Sequence, residues 1–419
     1  MRTPPLFPAV AGSWLDSMEH VEEVANTAVP QRHSAGPRRW AGVTALAGGT
    51  FTVVTSEMLP VGLLTPMSEA LRISTGTAGL SLTVTGLVAA ISAPLLTAWG
   101  GRFDRRTMLA VLMTVVLLGN LGTAWAPGPV ALIVARVLVG IGMGGVWAIA
   151  AGLAVRLVPP RSVGTATALV FSGVAVASVL GVPAGTFIGA VAGWRAAFAV
   201  VAALALLVGA AMLVCLPNLR AEQAVSLRTA LGRARIPRVR TGLVVIAFLV
   251  TGHFAAYTYI RPVLESRAHA GASLVSTLLL VYGITGVLGN FAAGALAARS
   301  PRRTLMVIAA TLGATVLSLP VVGAALPAAV LLVAVWGLAY GGVSVSAQLW
   351  LAAADPTARE SVSALFVAVF NAAIAAGALL GGLVTDRLGV ASAMLVGGLF
   401  GFAALLAAAT GHAPASPRP

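Results

Sequence analysis

Long apolar stretches separated by short polar segments cover the chain from residue 41 to residue 410. Most are near the length, about 20 residues, that an α-helix needs to cross a bilayer. Backbone that crosses lipid must satisfy its own hydrogen bonds, which a helix does within one segment. The pattern therefore predicts an all-α polytopic membrane protein with twelve transmembrane helices, at 41–64, 76–98, 107–125, 130–154, 163–190, 196–216, 241–262, 273–297, 304–324, 327–352, 361–384 and 390–410.

The polar segments divide the chain into domains. Residues 1–40 are rich in Pro, Ser and Arg and lack the apolar region of a signal peptide, so they predict a disordered N-terminal tail. The Arg-rich segment 217–240 falls near the middle of the spans and indicates a linker. It separates a six-helix half at 41–216 from a second at 241–410, and residues 411–419 form a short C-terminal tail.

The amount and the distribution of charge support a membrane protein and predict its orientation. Only 9% of the residues are charged, against about 25% in soluble domains. The net charge is +14, and the 26 basic residues are all arginines, which cluster in alternate loops. The positive-inside rule then places both termini in the cytoplasm. Arginines in short loops of this kind fix topology and meet anionic lipid headgroups, so the lipid bilayer is an expected partner and nucleic acid is not.

An internal repeat supports two related halves. Asp104-Arg-Arg-Thr-Met-Leu109 recurs as Pro301-Arg-Arg-Thr-Leu-Met306, each after the second span of its half, and Arg106 and Arg303 are 197 positions apart. The same offset takes Gly185 to Gly382. Duplicated halves are an architecture of secondary transporters, with the substrate site between them near the midplane.

Glu57 lies deep inside the first span, and we find no other carboxylate at such depth in the sequence. Burying a charge at the bilayer centre costs about 3 kcal/mol, so an ionisable residue there predicts a function, and proton coupling is the function most available to a lone Glu. The sequence has no nucleotide-binding loop and no zinc-protease or serine-hydrolase motif, so we expect neither an enzyme nor a cofactor. A single cysteine, Cys215, excludes an intrachain disulfide and a multi-Cys metal site.

Four motifs resemble the major facilitator superfamily, over essentially everything after residue 40. Gly100-Gly-Arg-Phe-Asp-Arg-Arg106 resembles its Gly/Asp/Arg loop signature, although the second copy, Ala297-Ala-Arg-Ser-Pro-Arg-Arg303, has no Asp. Leu132 to Gly144 resembles the span 4 motif, an Arg before a glycine run. Span 5 is similar to the antiporter motif, and Ser56 to Pro66 resembles the start of bacterial arabinose-type, chloramphenicol and purine ribonucleoside exporters.

The resemblance implies a proton-coupled exporter of drug-like compounds or purine nucleosides, working as a monomer by alternating access in the bacterial inner membrane. Its motifs supply candidate gating residues and candidate antiporter-motif residues. The gating set is Asp104, Arg105, Arg106, Arg302 and Arg303, and the antiporter set is Gly173, Gly181, Pro183 and Gly185. Sugar efflux or proton symport uptake, and a membrane sensor that does not transport, remain alternatives.

The resemblance also implies that spans 1 and 4 face a central cavity, where Glu57 and Arg136 could approach each other. We interpret the two as the proton-coupling residues, with a structural ion pair as the alternative. The candidate substrate-binding residues are aromatic or polar side chains within spans, whose alternative role is packing. They are Trp147, His253, Phe254, Tyr257, Trp336, Tyr340 and Asn371.

Overall fold

The computed structural model describes residues 37–99, 104–159, 162–218 and 231–412, and these ranges contain helices and no β-strand. The predictions for residues 1–36, for the linker residues 219–230 and for residues 413–419 fall outside the described residues. The helices are α1 (Pro37–Leu71), α2 (Thr75–Trp99), α3 (Arg105–Ala124), α4 (Pro129–Leu157), α5 (Val163–Val176), α6 (Val182–Ala192), α7 (Trp194–Cys215), α8 (Pro237–Tyr257), α9 (Ile260–Ala268), α10 (Ala272–Arg299), α11 (Pro301–Val322), α12 (Leu326–Gly341), α13 (Val343–Ala354), α14 (Arg359–Leu388) and α15 (Val390–Thr410).

The helical membrane fold predicted from the apolar stretches is confirmed. Within the described residues, eleven stretches are long and apolar enough to span a membrane. The remaining span is α1, whose 35 residues exceed the length needed, but whose polar residues and two prolines lower its hydropathy. Large apolar side chains such as Val130, Phe291 and Val321 are exposed on the outside of the bundle, where lipid would cover them.

The two halves, α1–α7 and α8–α15, pack in equivalent ways. Helix α2 packs on α4 and α3 packs on α7, while in the second half α10 packs on α12 and α11 packs on α15. These pairs correspond to spans 2 with 4, 3 with 6, 8 with 10 and 9 with 12. The duplication predicted from the repeated loop motif is therefore present in the packing.

The halves meet at one end of the bundle, which we call the Leu71 end and which the loop charges predict to be outer. Helix α2 lies along α14, and the π-helical turn at Ala177–Gly181, with α6, lies along α10. Asp386, near the end of α14, accepts hydrogen bonds from Ser74 Oγ at 2.6 Å and from Gly76 N at 2.8 Å. A carboxylate of one half thus caps the first turn of a helix of the other half, where unpaired N–H groups favour negative charge.

Asp386→Asn should loosen the Leu71 end. The substitution removes the charge from these bonds between the halves, and charge-assisted hydrogen bonds are worth about 1.5–3 kcal/mol. Ala78 is buried at this end against Tyr259 and Ala393 of the other half. In a Cys215→Ser background, a cysteine at position 78 should react with a membrane-impermeant maleimide about tenfold faster when Asp386 is Asn. An unchanged rate would show that this contact does not hold the end closed.

Candidate functional site

Glycines of span 5 hold α1, the helix that carries Glu57, in close contact. A Cβ atom at Gly173 would overlap Thr50, one at Gly181 would overlap Thr55, and one at Gly185 would overlap Leu59. These antiporter-motif residues therefore act as a flat surface on which α1 packs, as small residues do between membrane helices. The fourth member, Pro183, is buried at the start of α6, directly after the π-helical turn.

Two prolines inside α1 leave two main-chain carbonyls without their helical partners. A proline has no N–H, so the carbonyl four residues earlier receives no hydrogen bond from it. Pro60 therefore frees the carbonyl of Ser56, and Pro66 frees that of Gly62. Unpaired carbonyls at membrane depth need another donor, because no water is available in hydrocarbon.

Arg136 of α4 supplies the donor for the first carbonyl. Its Nη2 donates to Ser56 O at 3.0 Å and, less closely, to Glu57 O at 3.4 Å. Its Nε donates to Ser81 O and to Thr85 Oγ1, both at 3.1 Å. The side chain is completely buried, so one guanidinium joins α1, α2 and α4 at the residue where α1 is interrupted.

Arg136 donates to the main-chain oxygen of Glu57 and not to its carboxylate. The Glu57 side chain is 3% exposed and interacts electrostatically with Arg136, but the guanidinium bonds to main-chain oxygens of α1 instead of the carboxylate. Among the described residues, Glu57 Oε1 and Arg136 Nη1 have no hydrogen-bond partner. The two predicted residues therefore lie together, and the arrangement leaves a carboxylate oxygen available to a proton or a ligand.

Arg261 of α9 supplies the donor for the second carbonyl, from the other half of the chain. Its Nη1 donates to Gly62 O, and its Nε forms an ion pair with Glu265 at 2.7 Å. Glu265 in turn accepts a hydrogen bond from Thr65 Oγ1 at 2.6 Å. Each proline-freed carbonyl of α1 is thus bound by a buried arginine, one within its own half and one across the two halves.

Four rings of the second half stack in a bent row, which we call the ring column; the bend brings Tyr282 to 6.2 Å from His253. Tyr340 lies on His253 at 3.3 Å between ring centroids, His253 lies 4.9 Å from Tyr257, and Tyr257 lies 4.7 Å from Tyr282. The angles between neighbouring planes are 10°, 21° and 29°. Trp336 stands edge-on to the column. Phe254 is also edge-on, so the structure brings together five of the seven predicted substrate-binding residues.

The indole of Trp336 fixes the orientation of His253. Trp336 Nε1 donates to His253 Nδ1 at 3.0 Å, and an indole N–H can only donate. Nδ1 must therefore carry no proton, which leaves the imidazole proton on Nε2, 3.5 Å from the Tyr282 hydroxyl. A histidine held in this way is neutral, and it orients the neighbouring rings.

The other two predicted substrate-binding residues lie apart from the column. Trp147 packs within the first half, 5.9 Å from the ring of Phe171. The side-chain amide of Asn371 donates to Val367 O of its own helix at 2.9 Å. Their roles in binding stay predictions.

The repeated loop motif begins the third helix of each half. Asp104 caps α3 by accepting from Thr107 N at 3.2 Å, and Arg106 donates to Asn218, just beyond α7, at 3.4 Å. In the second copy, Arg302 donates to Ala408 O and Ala409 O, at the end of α15. These contacts join the third and last helices of one half. Arg105 is buried and Arg303 is exposed, and the gating role of the motif stays a prediction.

Sequence reasoning missed several residues at the site. Tyr282 completes the ring column, Asn120 accepts a hydrogen bond from Ser56 Oγ at 2.9 Å, and Glu265 binds Arg261. The sequence held two usable signals. Tyr282 is one of only four tyrosines, and each proline of α1 marks a free carbonyl four residues before it.

Comparison with known proteins identifies the family. The model of the Major Facilitator Superfamily matches residues 46–354 and 243–419. The Transcription regulatory protein OpdE of Pseudomonas aeruginosa is 33% identical over 84% of this chain and 88% of its own. The Purine ribonucleoside efflux pump NepI of Escherichia coli is 32% identical over 86% of this chain and 91% of its own.

A solved structure shows the same fold. The crystal structure of a bacterial homologue of the human lysosomal transporter Spinster, in an inward-facing and occupied conformation, superimposes with a TM-score of 0.74 at 16% identity. The match covers 89% of this chain and 96% of that one. Together with the family model and the relatives, these findings show that the chain belongs to the major facilitator superfamily, as its loop, span 4 and span 5 motifs predicted.

Proposed function

We propose that this secondary transporter exports purine ribonucleosides in exchange for protons. The observation that carries the proposal is the Glu57 carboxylate, which is buried on a proline-interrupted helix and has an oxygen without a hydrogen-bond partner among the described residues. An ionisable group at membrane depth marks a substrate or ion pathway. Family membership makes the chain a transporter and not an enzyme.

Two observations support purine ribonucleosides as the substrate class. A relative that is similar over most of both chains is named for purine ribonucleoside efflux. The ring column then provides aromatic surface with hydroxyl groups, which suits a planar ligand that carries polar atoms on its edge.

The proton would act at Glu57. A proton that arrives from the Leu71 end neutralises the carboxylate, which weakens its hold on the substrate and favours release at that end. Loss of the proton at the opposite end restores the acceptor and favours binding there. This cycle exports substrate if the Leu71 end is outer, which places both termini in the cytoplasm. The protein would then work as a monomer in the inner membrane of a bacterium.

A sensor that binds ligand without transport is a second candidate. It is favoured by one observation, namely that a relative of 33% identity is named a transcription regulatory protein. Sugar efflux and proton symport uptake are the transport alternatives. The sensor, sugar efflux and proton symport differ from the proposed export in which compound moves, in its direction relative to protons, or in whether it moves at all.

Reconstituted protein distinguishes these functions. Proteoliposomes that hold labelled purine ribonucleosides, chloramphenicol or arabinose would be given a pH gradient of either sign, and the movement of each compound would be followed. The proposal expects purine ribonucleosides to move against their gradient and opposite to protons. Movement in the same direction as protons would indicate symport, movement of arabinose alone would indicate sugar efflux, and binding without movement would indicate a sensor.

A further inference from the structure

Pro60 determines which acceptors compete for the Arg136 guanidinium. Because a proline has no N–H, the main-chain oxygen of Ser56 lacks its helical partner and accepts from Arg136 Nη2 at 3.0 Å. The same Nη2 lies 3.4 Å from the main-chain oxygen of Glu57. Arg136 Nη1 and Glu57 Oε1 have no hydrogen-bond partner among the described residues. Besides the Ser56 carbonyl, the guanidinium therefore has a second acceptor on a residue that it already contacts.

The other edge of the guanidinium is anchored on α2. Arg136 Nε donates to Ser81 O and to Thr85 Oγ1, both at 3.1 Å, and the side chain is completely buried. A guanidinium always carries its charge, and its planar fork bonds more strongly to an ionised carboxylate than to a neutral carbonyl. With Nε fixed, the two η nitrogens have a choice between the Ser56 carbonyl and an ionised Glu57.

Arg136 is the cation that faces Glu57 from the helices packed against α1. Among the described residues, α2, α5, α6 and the π-helical turn carry no ionisable side chain. Arg261 and Glu265 of α9 bond to α1 closer to the Leu71 end. Tyr340 of α12 is a phenol that interacts with Glu57 electrostatically. The other ionisable residues of these helices lie at helix ends or, for one tyrosine, in the ring column: Arg105, Arg106, Arg156, Arg195, Cys215, Arg267, Arg299 and Tyr282.

We propose that the Ser56 carbonyl freed by Pro60 competes with the Glu57 carboxylate for Arg136, and that this competition sets the pH at which Glu57 exchanges its proton. With a proton on Glu57, Arg136 stays on the Ser56 carbonyl, which is the arrangement in this structure. When Glu57 loses the proton, the η nitrogens turn to the carboxylate and the carbonyl loses its donor. Pro60 is thus a positioning residue that acts through Arg136.

The direction of the effect follows from the cost of leaving the carbonyl. A buried carbonyl without a donor is unfavourable, and this cost offsets part of what Arg136 gains at the carboxylate. Pro60 therefore makes the ionised form of Glu57 less favourable than an uncontested guanidinium would make it, so that the proton is taken up at a higher pH. This inference rests on the proposed function, in which Glu57 carries the proton, and adds the residue that adjusts its uptake.

The protonation of Glu57 can be followed without substrate. Dicyclohexylcarbodiimide adds to a protonated carboxyl group and leaves a stable N-acylurea, so purified protein would be labelled at a series of pH values and modified Glu57 quantified by mass spectrometry. Pro60→Ala restores the N–H that bonds to Ser56 O, which leaves Arg136 to the carboxylate. Half-maximal labelling should then move to lower pH by about one unit, which corresponds to one hydrogen bond to a charged group.

Matched variants separate this role from a general change in α1. Pro66→Ala also restores one N–H to the helix, but to a carbonyl that Arg261 binds, so half-maximal labelling should stay within about 0.3 pH unit of wild type. Pro60→Gly restores the same N–H as Pro60→Ala and should shift labelling in the same direction. Glu57→Gln should remove the label.

The outcomes distinguish this inference from the proposed function. Equal midpoints in wild-type and Pro60→Ala protein, or a shift to higher pH, would overturn the competition alone. If Glu57→Gln protein still accumulates substrate under a pH gradient, the proposed function fails, whatever the labelling shows. If wild-type Glu57 is labelled equally at every pH, it exchanges no proton in that range, and both fail together.

Discussion

Replacing Glu57 with Gln should abolish the transport that a pH gradient drives and leave substrate exchange at equal pH intact. Gln keeps the shape of Glu and an oxygen that accepts hydrogen bonds, but it cannot take up and release a proton. Helix α1 should keep its position, because Arg136 bonds to main-chain oxygens there and not to the carboxylate. Accumulation of labelled purine ribonucleoside under a pH gradient should fall to background, while counterflow continues at substrate concentrations high enough to offset the weaker binding to an uncharged side chain.

Glu69 offers the matched control. It lies on the same helix, but it is exposed near the Leu71 end. Glu69→Gln removes the same charge and should transport like wild type. If Glu57→Gln protein accumulates substrate as well as Glu69→Gln protein does, Glu57 is not the coupling residue and its burial is structural.

Arg136→Ala should be among the most destabilising single substitutions in the chain. It leaves the carbonyl that Pro60 frees without a donor and removes the link between α1, α2 and α4. Hydrogen bonds from a charged group are worth about 1.5–3 kcal/mol each, so several kcal/mol should be lost. Tryptophan fluorescence during thermal unfolding in detergent, using the eight tryptophans, would measure the fall in melting temperature.

Pro60→Ala should reduce the cost of losing Arg136. Alanine restores the N–H that bonds to Ser56 O within the helix, so the carbonyl no longer depends on the guanidinium. Pro66→Ala is the matched control, since it restores a bond to Gly62 O, which Arg261 and not Arg136 contacts. The double-mutant cycle of Arg136→Ala with Pro60→Ala should show coupling of about 1 kcal/mol or more, and the cycle with Pro66→Ala should show none. Equal coupling in both cycles would contradict a specific role for the Ser56 carbonyl.

The apolar pattern was sufficient for the fold because membrane spans are defined by length and composition. The repeat at Arg106 and Arg303 predicted two equivalent halves, and the packing of α3 on α7 and of α11 on α15 agrees with it. The depth of Glu57 could also be predicted, since its position in the sequence places it well inside a long apolar stretch, where a carboxylate is costly and rare.

The contacts at the site could not be predicted, because the spans carry little information about which face points inward. A helix that is apolar all round has no amphipathic stripe to orient it. The choice of aromatic and polar side chains within spans selected His253, Tyr257, Trp336 and Tyr340, but it also selected Trp147, which packs elsewhere. That Arg136 would bind main chain instead of the Glu57 carboxylate depends on the rotation of α4 against α1, which no sequence pattern specified.

Proton release on ligand binding tests the central claim most directly. Purified protein in an unbuffered detergent solution would receive adenosine while a pH indicator is read, at a pH low enough for Glu57 to begin protonated. If substrate and proton compete for Glu57, wild-type protein should release protons in proportion to the adenosine bound. Glu57→Gln protein should bind adenosine more weakly, because its side chain is uncharged, and should release none even at saturating adenosine. Binding by wild-type protein without proton release would contradict proton exchange at this site and leave Glu57 as a structural neighbour of Arg136.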